Sequence, residues 1–205
     1  MYTRKILVLF AHPKLDRSLA NAAMIKAIQG LPGITFVDLY AAYPRFEINV
    51  EVEQRRLLEH DVVVFQHPLY WYSTPAILKE WQDLVLEYGF AYGSDGHALD
   101  KKLFLSAITT GGSADAYTAD GYQHYPIRNL LRPIEQTVAL CRMQFLPPYV
   151  LFAAGHAKEE NRLTAHAQGY ARLLEALRDD RFNLKEGMKQ DTLENPLNTL
   201  ILKGQ

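Results

Sequence analysis

Cysteine is nearly absent from this chain: Cys141 is the single one among 205 residues. That excludes an intramolecular disulfide and a thiolate-built zinc site, and it fits a reducing cytoplasm. An excess of charge of either sign is also missing. Lys and Arg number 22 against 23 Asp and Glu, a formal net charge of −1, so nothing draws the chain generally toward nucleic acid or an anionic membrane. No apolar run reaches the length of a membrane span, and Met1-Tyr2-Thr3-Arg4-Lys5 leads into an apolar segment too brief for a signal peptide. The seven histidines show no H-E-x-x-H spacing, so no metal site is expected. No Walker-type loop occurs and no G-x-G-x-x-G opens the first helix, which disfavours a P-loop nucleotidase and a dinucleotide Rossmann site. Repeats and low-complexity tracts are absent too.

What is present is an ordinary globular balance, 48% hydrophobic and 22% charged, with an aromatic surplus of 12 tyrosines and 9 phenylalanines. A chain of this length suits one α/β domain and buries roughly 70% of its unfolded surface. The aromatics concentrate in His67-Pro68-Leu69-Tyr70-Trp71-Tyr72-Ser73. Val62-Val63-Val64-Phe65 before it reads as a buried strand. Pro75 after it begins an amphipathic helix running to about Tyr88, with Ser73 or Thr74 as the expected cap and Ile77, Leu78, Trp81, Leu84, Val85 and Tyr88 at helical spacing. Three large aromatics on a surface loop lose free energy in water unless something covers them, and a flat, mostly apolar ring system is a suitable cover. A dimer interface rich in aromatics is the competing account.

Taken in order, Ile6 to Phe10 is a first buried strand, and Ser18 opens a helix whose Ala22, Ala23, Ile25 and Ile28 can face a sheet. Ile34 to Tyr40 is a second strand; Val50 to His60 is a charged surface helix with Val52 and Leu57 inward. Asp61 to Gln66, Lys102 to Thr109 and Tyr149 to Ala153 are the remaining strands. Ile127 to Met143 is helical, with Pro133 marking a break or a fresh first turn, and Glu159 to Arg178 is the last long helix. Five strands alternating with helices imply an α/β three-layer sandwich around a five-stranded parallel sheet, in the flavodoxin-like order 2-1-3-4-5. One domain covers residues 1–178. The polar tail 179–205, with its apolar knot Leu197, Leu200, Ile201 and Leu202, is expected to be an arm for a partner subunit.

In that order the loops after strands one, three and four flank one crevice at the carboxyl edge of the sheet. A helix starting at Ser18 presents free N–H groups and the positive end of its dipole, which suits a phosphate, with His12 and Asn21 as further donors. A plain cap is the alternative for Ser18. Leu69, Tyr70, Trp71 and Tyr72 offer stacking faces and backbone N–H groups. Thr109-Thr110-Gly111-Gly112 places two glycines where the backbone must approach something or take positive φ, and successive N–H groups there can hold negative charge. Gly111-Gly112-Ser113-Ala114-Asp115 misses the G-x-S-x-G elbow, which argues against a serine nucleophile. Tyr117 and His124 are the nearby side chains suited to handling a proton. A receiver-type domain needs acidic residues at the end of strand one, and Phe10-Ala11-His12 carries none.

These residues resemble the flavodoxin-like NAD(P)H:quinone oxidoreductase family. The resemblance rests on Ala11-His12-Pro13, on Ser18 with Asn21, on the run from His67 to Trp81 (H-P-L/M-x-W-Y-S-x-P-x-x-L-K-x-W), on Thr109-Thr110-Gly111-Gly112 and on Leu146-Pro147-Pro148. Within it, Tyr43-Pro44-x-Phe46, Phe65 to Tyr70, Leu131-Arg132-Pro133-x-Glu135 and Cys141-Arg142-Met143 look like the ancillary subunits of bacterial glutathione-regulated potassium-efflux systems. The resemblance implies a homodimer with a flavin near each subunit interface: FMN, or FAD as in the larger quinone reductases. It implies phosphate contacts from His12, Ser18, Leu19, Ala20 and Asn21, and ring contacts from Pro68, Leu69, Tyr70, Trp71, Tyr72 and Thr109 to Ser113. It further implies hydride transfer from NADH or NADPH to a quinone, with Tyr117 at the position of an assisting tyrosine. The assisting histidine's position holds Gln123, with His124 one residue later. A membrane potassium antiporter is the implied partner, with a cytoplasmic location, peripheral at the inner face of the cell membrane.

Overall fold

The computed structural model describes residues 3–202; Met1, Tyr2 and the last three residues of the tail lie outside them. A parallel sheet runs through the molecule in the order β2-β1-β3-β4-β5, with a sixth strand also paired to β4. The strands are β1 (Ile6–Phe10), β2 (Ile34–Asp38), β3 (Val62–Pro68), β4 (Leu103–Thr109), β5 (Gln144–Phe145) and β6 (Tyr149–Leu151). The helices are α1 (Leu19–Ile28), α2 (Leu39–Ala42), α3 (Val50–Glu59), α4 (Ala76–Val85), α5 (Ile127–Leu130), α6 (Arg132–Leu140), α7 (Leu163–Arg178), α8 (Leu184–Gly187) and α9 (Leu197–Leu200).

Both faces of the sheet are covered, which is why the central strands are apolar throughout rather than alternating. Successive side chains point to opposite faces. Leu7, Leu9, Val63, Phe65 and Phe104 pack with Leu57, Ile77, Trp81, Ile134 and Val138, the side of α3, α4 and α6. Ile6, Val8, Val62, Val64 and Leu105 pack with Met24, Ile28, Leu173 and Leu177, the side of α1 and α7.

Several boundaries differ from the sequence reading, each for a local reason. β2 stops at Asp38, because its carboxylate accepts the Tyr40 and Ala41 N–H groups (3.0 and 3.2 Å) and turns the chain into α2. The fifth strand is split. Pro147 and Pro148 cannot donate to a ladder, so β5 pairs with β4 at Leu103–Phe104 and β6 pairs with it again at Ala107–Thr109. On α1 the buried residues are Ala20, Asn21, Met24 and Ile28; of the expected face Ile28 is buried and Ala23 packs against the core, whereas Ala22 is exposed and Ile25 only partly buried. α4 begins at Ala76 with Pro75 at its N-cap and no side-chain cap, and Ser73 lies in a backbone hairpin with Tyr70. Leu84 and Tyr88 stay largely exposed. Pro133 lies in the first turn of a fresh helix, α6, the second of the two alternatives the sequence offers.

Helix α3 hides a polar centre beneath its charged surface. The Glu53 side chain is 0% exposed. Its carboxylate accepts from the Tyr43 hydroxyl (2.5 Å) and the Trp81 Nε1–H (3.0 Å) and pairs with Arg56. A buried charge with this many partners ties the loop before α3 to α4. The hydroxyl of Tyr43 beside it is pushed up to about 12 by burial first and by the Glu53 hydrogen bond second. In the tail, Phe182, Leu193, Leu197 and Leu200 are buried against α7 and the sheet of their own chain. The Glu194 carboxylate accepts the Val150 N–H (3.1 Å) and so covers the outer edge of β6.

Candidate functional site

Three loops leave the carboxyl ends of β1, β3 and β4, and hydrogen bonds join all three. His12, after β1, lies with Nε2 3.3 Å from the Tyr70 hydroxyl, and the two rings meet edge to face at 5.8 Å. Leu69 N–H donates to the Thr109 carbonyl (2.8 Å), which locks the aromatic loop to the end of β4. Asn21 on α1 donates to Thr109 Oγ1 (3.3 Å) and accepts from Gln66 (3.4 Å).

The first loop ends in a helix cap. Ser18 Oγ accepts the Asn21 N–H (3.2 Å) and one Asn21 side-chain N–H (3.1 Å), which leaves its own hydroxyl hydrogen to donate. The Leu19 and Ala20 N–H groups lie in the first turn of a ten-residue helix and have no intrahelical acceptor. Asn21 is fully buried, with both amide hydrogens engaged inside the chain. It holds Ser18 in place rather than reaching outward. His12 Nδ1 accepts the Lys14 N–H (3.1 Å), which assigns the proton of the neutral ring to Nε2. Burial lowers its pKa, against the opposing pull of Asp16 and Asp38, so at neutral pH the ring presents an uncharged N–H donor.

The second loop is a tight hairpin. Tyr70 N–H donates to the Ser73 carbonyl (3.1 Å) and Ser73 N–H returns the bond (3.0 Å). The two residues between, Trp71 and Tyr72, have φ of 47° and 63°, the left-handed pair of a type I′ turn normally built from Asn and Gly. Two bulky aromatics in that conformation cost backbone strain of order 1–3 kcal/mol each. The strain holds two rings out: Trp71 is 92% exposed and Tyr72 51%. With the Leu69 and Tyr70 N–H groups engaged within the chain, those of Trp71 and Tyr72 remain at the tip.

The third loop carries Gly111 and Gly112, neither at positive φ. Gly112 serves close approach instead, and Gly111 shows neither feature within the chain. A Cβ on Gly112 would lie 3.1 Å from the Tyr117 ring, whereas one on Gly111 would meet nothing within 4 Å. Thr110 Oγ1 donates to the Gly112 carbonyl (2.9 Å), and that carbonyl also accepts the Ala153 N–H (2.8 Å). Between the second and third loops lies an open cleft of ≈ 320 Å³ lined by Leu69, Trp71, Tyr72, Gly111, Gly112, Tyr117 and Gln123. Leu69, Trp71 and Tyr72 line it from the second loop, and Gly111, Gly112, Tyr117 and Gln123 from the third and its continuation, an apolar and aromatic lining suited to a flat ring.

The structure therefore gathers His12, Ser18, Leu19, Ala20, Pro68, Leu69, Tyr70, Trp71, Tyr72 and Thr109 to Gly112 at one edge of the sheet. Ser113 turns away and lines the groove beside β6 and α7. Tyr117 is buried at the cleft with its ring 5.8 Å from Phe152. His124, at φ 61°, is exposed and not among the lining residues; Gln123 is. No periodicity marks Gln123. The Thr110-to-Pro126 stretch reads as an irregular loop; the family motif sets Gln123 at the assisting histidine's position, and the folded course brings it to the cleft.

Comparison with known proteins places this geometry in a family. The profile described as a flavodoxin-like fold matches residues 4–174. The chain belongs to the flavodoxin-like family. Among its flavodoxin-like relatives is the glutathione-regulated potassium-efflux system ancillary protein KefG of Yersinia enterocolitica, 48% identical over 172 residues that cover 84% of this chain and 93% of that one. Among solved structures, general stress protein 14 of Treponema denticola in complex with FMN superposes with a TM-score of 0.80 at 36% identity, covering 84% of this chain and 99% of that one. An NADPH-quinone reductase from P. pentosaceus superposes with a TM-score of 0.72 at 32% identity, covering 82% and 97%.

Proposed function

We propose that this chain is an FMN-dependent NAD(P)H:quinone reductase that acts as a homodimer. The observation that carries this reading is the convergence of the three loops on one cleft, with a phosphate-suited helix start at one end and a ring-shaped slot at the other. The residues fit the cofactor. The Leu19 and Ala20 N–H groups and the Ser18 hydroxyl are three donors suited to a terminal phosphate, and the His12 Nε2–H could join them by exchanging its long contact to the Tyr70 hydroxyl. Leu69, Trp71, Tyr72 and the Gly111-Gly112 backbone suit the isoalloxazine ring, and the FMN complex of the Treponema denticola neighbour supports FMN as the flavin. When bound, a flavin supplies reversible two-electron hydride chemistry.

The chain's own residues do the rest. The αL turn holds the Trp71 and Tyr72 rings as a wall that excludes water from one side of the slot. The slot's open mouth admits nicotinamide and quinone in turn, which predicts ping-pong kinetics. Tyr117, fixed by Gly112 and Phe152, sets a hydroxyl at the reacting edge as a hydrogen-bond donor to a developing oxyanion. Exposed Trp71 at the cleft, with exposed Tyr122 and Tyr125 flanking Gln123 and His124 along the chain, supplies apolar surface that a second copy would cover.

The test is anaerobic. FMN-loaded protein should lose its oxidised-flavin absorbance on adding NADH or NADPH and recover it on adding a quinone. Protein that binds neither FMN nor FAD sinks the proposal.

A second reading has its own support, the identity with KefG across nearly the whole length of that protein. In it the chain regulates a potassium antiporter at the inner face of the membrane, its flavin reporting redox state and the Tyr43 to Glu47 loop with α3 forming the docking face. Among the described residues no helix is long and apolar enough to cross a membrane, so attachment would run through that partner. Deletion of the gene should abolish activation of potassium efflux, and intact regulation in the deletion strain counts against this role.

A further inference from the structure

We propose that the groove between β6, α7 and the tail holds the ADP half of the hydride donor, with Arg172 pairing with the 2′-phosphate of NADPH; the assignment rests on the reductase reading above. At ≈ 600 Å³ the groove lies within the roughly 300–1,000 Å³ typical of small-molecule sites. One end adjoins the flavin cleft. Ser113 lines the groove and the preceding Gly112 lines the cleft, and the Gly112 carbonyl accepts the N–H of Ala153, a further groove residue (2.8 Å). The other end is Arg172, whose Nη2 donates to Asn198 Oδ1 in the tail (2.6 Å). From Arg162, at the start of α7, to Arg172 the helix advances about 15 Å, room for a ligand to run on from the cleft. The tail forms one wall and lies beyond the residues 4–174 that the family profile matches, so the shared fold alone does not supply this groove.

Charges within the groove are settled by the chain, with one exception. Arg162 donates to the Phe152 and Ala153 carbonyls (3.0 and 3.4 Å) and pairs with Glu160 (2.5 Å). The Glu194 oxygens accept from the Val150 N–H (3.1 Å) and the Thr192 hydroxyl (2.7 Å). Arg172 is exposed and forms no ion pair among the described residues, so most of its fork of N–H donors remains for a ligand. A guanidinium fork matches a phosphate in both geometry and charge. The 2′-phosphate is what distinguishes NADPH from NADH, so Arg172 sets a preference for NADPH. His166 is nine-tenths buried, lines the same groove, and its Nε2 has no partner in the chain. Burial keeps its imidazole uncharged at neutral pH, which suits a sugar hydroxyl rather than a phosphate.

Anaerobic stopped-flow bleaching of the FMN-loaded protein tests this, with dissociation constants read from its dependence on donor concentration. Wild type should bind NADPH about tenfold more tightly than NADH, the worth of one charge-assisted pair. Arg172→Gln should weaken NADPH by about the same tenfold and leave NADH within about twofold. Its limiting bleaching rate and FMN stoichiometry should not change. Ala165→Trp fills the groove from an exposed position on α7. It should weaken both donors about fivefold or more while reoxidation by menadione keeps its rate. Equal affinity for the two donors, or an Arg172→Gln protein that loses both alike or neither, overturns the assignment. So does an Ala165→Trp protein with unchanged donor affinity. In each of those cases flavin bleaching by either donor keeps the reductase reading intact. An FMN-loaded wild type that neither donor bleaches overturns both.

Discussion

The two ends of the sheet are built on opposite terms. At the amino end, charge and backbone interlock. Arg4 N–H donates to the Arg178 carbonyl (2.8 Å), its guanidinium donates to the Leu177 carbonyl (3.0 Å) and pairs with Asp180 (2.7 Å). Lys102 Nζ caps the His60 carbonyl (2.5 Å), and Arg178 reaches the Pro32 carbonyl (3.0 Å). At the carboxyl end, two aromatics sit in left-handed backbone, Trp71 lies almost wholly in solvent, and the His12–Tyr70 contact is a long 3.3 Å. The same strands connect them, so the difference lies in the loops. One end supplies conformational stability, and that surplus lets the other hold shapes that would not persist alone.

The largest way to sharpen this contrast is acid. His67, near the end of β3, is fully buried under the aromatic loop; its Nδ1–H donates to the Pro68 carbonyl (2.9 Å), and its Nε2 has no partner. Protonation would place a charge there with no acceptor, and burial lowers its pKa to about 4. Below the ordinary value of 6.5 the unfolded chain binds a proton that the folded chain refuses. Stability should therefore fall as pH drops from about 6.5 toward 4, by roughly 2 kcal/mol between pH 7 and pH 5 from this residue. His166 on α7, also lowered to about 4 by burial, adds a slope of the same sign. Urea midpoints at the two pH values should converge by about half in His67→Leu; an unchanged slope would show that the imidazole is solvated.

The same contrast explains which features could be read from residues alone. Buried strands such as Ile6–Phe10 and Val62–Phe65 were legible because continuous apolar runs have few alternatives in a chain this short. The helix start at Ser18 was legible from its cap, and the three-loop crevice followed from the strand order. Misreadings cluster where a side chain competes with the periodic pattern. Asp38 ends a strand by capping, and Pro147 with Pro148 splits one. Glu53, on a helix whose charge reads as solvated, is drawn inside by Tyr43 and Trp81, partners that arrive only through the fold. Gln123 and His124 differ by a single residue of loop register: periodicity does not separate them, whereas the family motif sets Gln123 at the assisting position and the fold brings it to the cleft.

A smaller effect comes from relaxing the hairpin tip. Replacing Trp71 and Tyr72 together by Asn and Gly supplies the residues that a type I′ turn accepts without penalty. The double variant should be more stable than wild type by about 1–2 kcal/mol, seen as a rise in melting temperature, since the exposed Trp71 ring contributes little burial to offset the relief. Its FMN dissociation constant should rise at least tenfold with the loss of both rings. A lower melting temperature would mean that the aromatic pair stabilises the free protein, and the carboxyl end would no longer be the strained one.

The smallest effect is expected at the amino end, from Asp180→Asn. Asparagine is the apt replacement because Asp180 has φ 54°, a conformation that Asn tolerates and Ala does not. The substitution removes one partner of the Arg4 ion pair, but Asp180 is more than half exposed and the Arg4 guanidinium keeps its bond to the Leu177 carbonyl. The loss should be below about 1 kcal/mol and should shrink further in molar salt, where exposed pairs are screened. FMN affinity should not move, because the strands between the two ends are fully buried and rigidly paired. A change in flavin binding on Asp180→Asn would mean that the ends communicate through the sheet, and the division of labour between a clamped end and a strained one would have to be given up.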